Sequence, residues 1–124
     1  MCRKRHWNNP EEGNDPLLLP VAHGEGRFFT NAENLSRIEN EGLVVFRYCD
    51  VQGVPTQIYP DNPNGALHAI AGICDPKGNI LGLMPHPERF VDRLQHPNWR
   101  RMPKDFKPAG LKIIESIVNY ARQL

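Results

Sequence analysis

The sequence has no long hydrophobic run. None of its apolar stretches approaches the ~18 residues that cross a bilayer, and the basic opening Met1-Cys2-Arg3-Lys4-Arg5-His6-Trp7 leads into no signal-peptide core. Neither a membrane partner nor a secretory leader is signalled. Cysteine is scarce: Cys2, Cys49 and Cys74 are three, an odd number at wide spacing. That pattern gives no disulfide framework and no CxxC metal site, and points to a soluble protein of a reducing, cytoplasmic compartment. An excess of one charge is missing too. Fifteen basic and fourteen acidic side chains leave +1, which argues against a chain built to coat nucleic acid.

Turn formers are plentiful. Ten glycines and twelve prolines make about 18% of the 124 residues, against a usual ~12%. Residues 1–16 read as an irregular segment of breakers and charge, and a basic cluster at 3–7 reads as a solvated end. Residues 17–22, Leu-Leu-Leu-Pro-Val-Ala, read as a buried strand. Thr30, with Glu33 three residues on, predicts a helix start; Leu35 and Ile38 give it an apolar face and Gly42 ends it. Residues 43–49 read as a second strand, and 50–65, with three prolines and two glycines, as a long loop.

The clearest local unit is residues 69–84. Two small-apolar strands, 69–74 and 80–84, flank Asp75-Pro76-Lys77-Gly78-Asn79, a hairpin signal. Both strands are apolar at nearly every position, so both of their faces should be covered. One or two helical turns follow over 90–94, then a polar loop over 95–108. A last helix spans 108–122, with Pro108 in its first turn and Leu111, Ile114, Ile117, Val118 and Ala121 as its core-facing stripe.

The first chemical candidate is Pro85-His86-Pro87-Glu88. Prolines on both sides push His86 to extended backbone. Side chains two apart on such a backbone point the same way, so Glu88 can reach the imidazole. A carboxylate on one ring nitrogen fixes the tautomer and leaves the other nitrogen to move a proton. The plainer reading of the same residues is an exposed strand-end histidine beside a solvated glutamate. The second candidate is His23-Gly24-Glu25-Gly26-Arg27, where the glycines allow positive φ or close approach. It lacks the spacing of a phosphate loop, and a plain glycine turn also accounts for it. His86-x-Glu88 resembles half of a zinc-deaminase signature, but the required P-C-x-x-C is absent. No metal site is predicted. Neither Cys49 nor Cys74 precedes a glycine elbow and a helix, the setting that exposes a nucleophile; both read as inert thiols.

Three stretches carry a family resemblance: Leu19-Pro20-Val21-Ala22-His23-Gly24-Glu25-Gly26-Arg27, Asn62-Pro63-Asn64-Gly65 leading to Ile70-Ala71-Gly72-Ile73, and Gly78 through Met84-Pro85-His86-Pro87-Glu88-Arg89. With the final helix they resemble the glutaminase subunits of phosphoribosylformylglycinamidine synthases, class I glutamine amidotransferases of purine biosynthesis. The resemblance covers residues 17–124 and implies an α/β fold. That fold is a flavodoxin-like three-layer domain with a mostly parallel sheet and the hairpin as an antiparallel addition. It also implies a Cys-His-Glu triad in which His86 and Glu88 are the second and third members. The family's cysteine lies in a Gly-x-Cys-Asn-Gly elbow, and no such elbow occurs here. The expectation is therefore the C-terminal half of the domain, without its first βα units or its nucleophile, and with a segment over 94–107 longer than the family implies. The implied partners are L-glutamine and a synthetase subunit, which would hold ATP and Mg; no cofactor is implied in this chain. The rival expectation is a non-catalytic module that binds the synthetase or a second chain.

Overall fold

The structure is a computed structural model that describes residues 16–123. The expectations for Cys2, for the basic cluster and for the irregular segment up to residue 15 lie outside those residues. Two compact units are present: Val21–Pro85, and a second formed by residues 16–20 with 86–123.

In the first unit, α1 (Ala32–Asn40) precedes β1 (Val44–Arg47), β2 (Ile70–Cys74) and β3 (Leu81–Leu83). The cap of α1 sits one residue beyond Thr30. Asn31 is extended, and its carboxamide oxygen accepts from the Asn34 N–H at 2.8 Å. At the other end Gly42 takes φ +66°. Its N–H donates to the Glu39 carbonyl at 3.1 Å, and the Leu43 N–H to that of Ile38 at 2.9 Å. These paired bonds close the helix as its glycine predicts.

The three strands form one antiparallel sheet in the order β1-β2-β3. The predicted hairpin is there, with Gly72 opposite Leu83 and Cys74 opposite Leu81. Its turn is built by Asp75, whose carboxylate accepts from the backbone N–H groups of Lys77, Asn79 and Ile80 at 3.0, 2.6 and 2.8 Å. Every pairing is antiparallel: the hairpin is the antiparallel addition that the resemblance implies, β1 joins it antiparallel as well, and the described residues hold no pairing of the expected mostly parallel sheet. Burial divides the hairpin. Ile70, Ala71, Gly72 and Cys74 of β2 are buried, whereas β3 is a half-buried edge and Ile80 beside it is 70% exposed. Among the described residues, then, β2 has the expected cover and β3, the edge strand of the sheet, does not. The core here is small: Tyr48, Ala66, Ala69 and Ala71, with Val21, Phe28, Phe46 and Met84 packed on them.

Residues 17–22 make no strand. Leu18 is exposed, and a bond from the His86 N–H to the Pro20 carbonyl, at 2.9 Å, is the ladder-like contact they do make. Proline has no N–H to give a ladder, and an apolar run becomes a buried strand only where neighbours cover it.

In the second unit three 3-10 turns, Pro87–Phe90, Arg93–Gln95 and Trp99–Arg101, lead to α2 (Ala109–Ala121). The helix bounds match the sequence reading, but its buried face does not. Gly110 and Ile113 are buried, while Ile114, Ile117 and Val118 of the predicted stripe are exposed. The reason is where the cover ends. A Cβ at Gly110 would lie 1.9 Å from the Pro87 carbonyl oxygen and 2.6 Å from that of Phe90. Only a bare Cα lets the first turn of the helix rest there; Ile114 and Ile117 share the face of Gly110 but lie further along the axis, beyond the turn that covers Gly110 and Ile113. Phe90 and Ile113 are the sealed apolar residues of this contact.

Candidate functional site

His86 ends the extended segment after β3, with φ −104° and ψ 90°. Proline on each side holds it out of helical geometry. Glu88 is not on extended backbone, as the sequence suggested, but inside the Pro87–Phe90 turn. The turn still brings the two side chains together: His86 Nδ1 lies 2.8 Å from Glu88 Oε1. A carboxylate oxygen only accepts, so Nδ1–H is the donor and Nε2 carries the free lone pair of the neutral ring. Nε2 is itself buried and has no hydrogen-bond partner among the described residues, although the His86 side chain as a whole is 29% exposed. The bond to His86, with the Glu88 backbone second, holds the Glu88 carboxyl below its ordinary value.

The sequence reading missed two supports of this turn. Gly110 is one. Gln95 is the other: its Oε1 accepts from the Val91 and Asp92 N–H groups at 2.7 and 2.8 Å, and its Nε2 donates to the Glu88 carbonyl at 3.3 Å. The Asp92 carboxylate in turn accepts from the Leu94 N–H at 2.8 Å, completing a reciprocal cap. The spacing Asp92-x-x-Gln95 was the available signal.

The glycine segment at 23–27 is exposed at His23, Gly24, Glu25 and Arg27. Of the two backbone freedoms its glycines allow, close approach is the one used. A Cβ at Gly26 would fall 1.9 Å from Met84 Cε, and the Gly26 carbonyl accepts from Asn64 Nδ2 at 3.2 Å. Asn62, 2% exposed, clamps the next loop with both ends of its carboxamide, accepting from the Ala66 N–H and donating to the Ala66 carbonyl, each at 3.1 Å. A second imidazole–carboxylate contact joins His68 Nδ1 to Glu39 Oε1 at 3.0 Å, with Arg47 Nη2 on the same oxygen at 2.8 Å.

The two described cysteines offer no activated thiol. Cys74 is buried, and burial, followed by the charges of Asp50 and Asp61, pushes the Cys49 thiol up. A raised value keeps the sulfur protonated and weak as a nucleophile. Among the described residues no three His, Cys, Asp or Glu side chains gather as metal ligands, and no helix is long and apolar enough to cross a membrane.

Residues 4–121 match the CobB/CobQ-like glutamine amidotransferase domain. The chain belongs to that family. Its relatives include the phosphoribosylformylglycinamidine synthase subunit PurQ of Thermomicrobium roseum, 51% identical over 87 residues, or 70% of this chain and 36% of that protein. The Thermus thermophilus subunit of the same name is 56% identical over 78 residues, covering 63% of this chain and 33% of the relative. That of Methanococcus maripaludis is 43% identical over 123 residues, 94% of this chain and 45% of the relative. The chain thus spans between a third and a half of the length of the relatives it matches, and the resemblance read from its motifs holds: it is similar to a C-terminal portion of these subunits.

Proposed function

We propose that this chain is the His-Glu portion of a glutaminase subunit of phosphoribosylformylglycinamidine synthase, which hydrolyses L-glutamine and hands ammonia to a synthetase subunit for purine biosynthesis in the cytoplasm. One observation supports it above the others: His86 gives Nδ1–H to Glu88 and keeps Nε2 buried and unclaimed. In this reading the nucleophile comes from outside the chain. Its sulfur attacks the glutamine side-chain carbonyl while Nε2 of His86 takes the thiol proton. The protonated ring gives that proton to the departing ammonia. Water then attacks the thioester, Nε2 takes its proton and returns it to the sulfur, and glutamate leaves. Glu88 is the orienting group: by accepting Nδ1–H it holds the ring in the tautomer that leaves Nε2 free in both halves of the cycle. ATP and Mg act on the synthetase partner. A second reading, a non-catalytic module that binds that partner, draws support from the raised Cys49 thiol.

The test is a chimera. The matching segment of the Thermus thermophilus relative is replaced by residues 17–124, and ammonia release from glutamine is measured. The expected activity lies within about tenfold of the parent relative, and His86→Ala lowers it by about a thousandfold or more. The chain alone releases none. A folded chimera without activity, or one indifferent to His86→Ala, overturns the catalytic reading in favour of the binding module.

A further inference from the structure

The stretch 93–107 is unlike the rest of the sequence in charge. It holds Arg93, Arg100, Arg101, Lys104 and Lys107 against the single acid Asp105, a net +4 in a chain whose total is +1. Such a density of one sign is costly unless something offsets it. Among the described residues, the ion pairs are those of Glu39 with Arg47 and His68, and of Glu88 with His86 and Arg89; none involves Arg93, Arg100 or Arg101.

Two of them, Arg93 and Arg100, are nevertheless held in place. Arg93 Nη1 donates to the Trp99 carbonyl at 2.6 Å. The guanidinium of Arg93 lies 5.5 Å from the centre of the Trp99 ring, and that of Arg100 lies 5.4 Å from it. Cation–π contact of this kind holds a guanidinium against the face of the ring. It also removes part of the rotamer freedom that a free arginine would lose on binding. Beside the ring is a concavity of about 420 Å³ lined by Pro97, Asn98, Trp99, Arg100 and Arg101, with no acidic side chain in its wall.

A guanidinium fork ordered on a ring, as at Arg100, with a second one lining the same concavity at Arg101 and no ion pair at either among the described residues, is complementary to carboxylates from elsewhere. Tryptophan and arginine are also the residues that dominate protein–protein contacts. A nucleic-acid partner is less favoured, since the chain's pI is about 7.8, well below the basic range of nucleic-acid-binding domains. We propose that the Trp99 turn is a docking surface for an acidic segment of a partner polypeptide, whose carboxylates are taken by Arg100 and Arg101 beside the Trp99 ring. That the occupant is a protein rests on the partner-subunit part of the reading above; the arrangement of charge and ring does not depend on glutamine chemistry.

The test uses the full chain carrying Trp7→Phe, which leaves Trp99 as the sole tryptophan. An octaglutamate peptide is titrated at about 50 mM salt while Trp99 fluorescence is followed. A saturable change is expected. The pair Arg100→Ala with Arg101→Ala weakens it by about tenfold or more. The pair Lys104→Ala with Lys107→Ala removes the same charge away from the concavity and weakens it by less than about threefold. Raising the salt weakens all three. Because no turnover is read, failure of the glutaminase reading leaves this result standing. The proposal is overturned by no saturation at millimolar peptide or by equal loss in the two double variants. It is also overturned if an octanucleotide binds more tightly than the peptide, or if inorganic phosphate alone binds as well.

Discussion

Glu39 with His68 and Glu88 with His86 are the same chemical pair in two settings. The first joins residues 29 positions apart, across α1 and the turn before β2, and shares its carboxylate oxygen with Arg47. The second joins residues two apart on a single turn, where the other cation, Arg89, stands 4.0 Å away. Both carboxyls sit below their ordinary value, Glu39 because of Arg47 first and His68 second, Glu88 because of His86 first. The contrast lies in what surrounds each ring. His68 is 54% exposed on its side chain and lies within a charge cluster that ties elements together: Arg47 also donates to the His68 carbonyl. His86 hides an unclaimed nitrogen. An imidazole on a carboxylate is therefore a structural tie in one place and a candidate proton carrier in the other, and the unclaimed nitrogen, rather than the pair itself, separates them.

The largest expected effect breaks the support of the second pair and leaves the first alone. Gly110→Ala puts a methyl group against two backbone carbonyls of the turn that carries Glu88. Overpacking costs about 1–3 kcal/mol, and alanine's better helix propensity returns only about 1 kcal/mol. Because rigid backbone must move, a net loss of about 2 kcal/mol is expected in denaturant melts. Gly26→Ala is the control. Its methyl meets only the end of the flexible Met84 side chain, and a cost under about 1 kcal/mol is expected. Equal losses would mean that α2 does not rest on the turn as described.

Gln95→Ala comes next. It removes the acceptor of two N–H groups and the tie to the Glu88 carbonyl. Loss of such a cap costs about 1 kcal/mol. The Nδ1–H tautomer of His86 should give way to a mixture in ¹⁵N spectra, while the His68 signals stay where they are. Gln95→Glu keeps both accepting bonds and loses only the donated one, so it should retain the stability and show a smaller change in the His86 spectrum. Unchanged His86 signals in a folded Gln95→Ala protein would show that the turn needs no clamp.

These supports mark the limit of what the sequence discloses. The hairpin was legible because its turn chemistry and its strands are local, and α2 because its helix period is. The meeting of His86 with Glu88 was legible by proximity, although a turn rather than an extended backbone produces it. The apolar stripe of α2 was only partly right because a periodic pattern says which residues suit burial, whereas the turn at 87–90 covers just the start of that face, at Gly110 and Ile113. The run at 17–22 was misread for a related reason: apolarity marks a strand as suited to burial but supplies no neighbours. Asn62 and the Glu39–Arg47–His68 cluster depend on contacts that only the folded chain creates, and no short-range spacing announces the latter.

The smallest effect sharpens the comparison through acid. A carboxyl whose value is lowered by folding contributes stability above its unfolded value, and that contribution is lost as pH falls through the folded one. For Glu39 the window opens below its ordinary 4.5. Thermal midpoints between about pH 3 and 6 should therefore fall less steeply in Glu39→Gln than in the parent chain. The difference should shrink at about 0.5 M salt, because Arg47 and Glu39 are only partly shielded from water. Glu88→Gln should flatten the acid limb less, since its carboxylate is 63% exposed against 31% for Glu39 and its arginine, Arg89, stands 4.0 Å away against 2.8 Å for Arg47 at Glu39. The opposite order would reverse the assignment of roles: the pair at His86 would then be the structural tie, and the cluster at His68 the one whose carboxylate is spared from holding the fold.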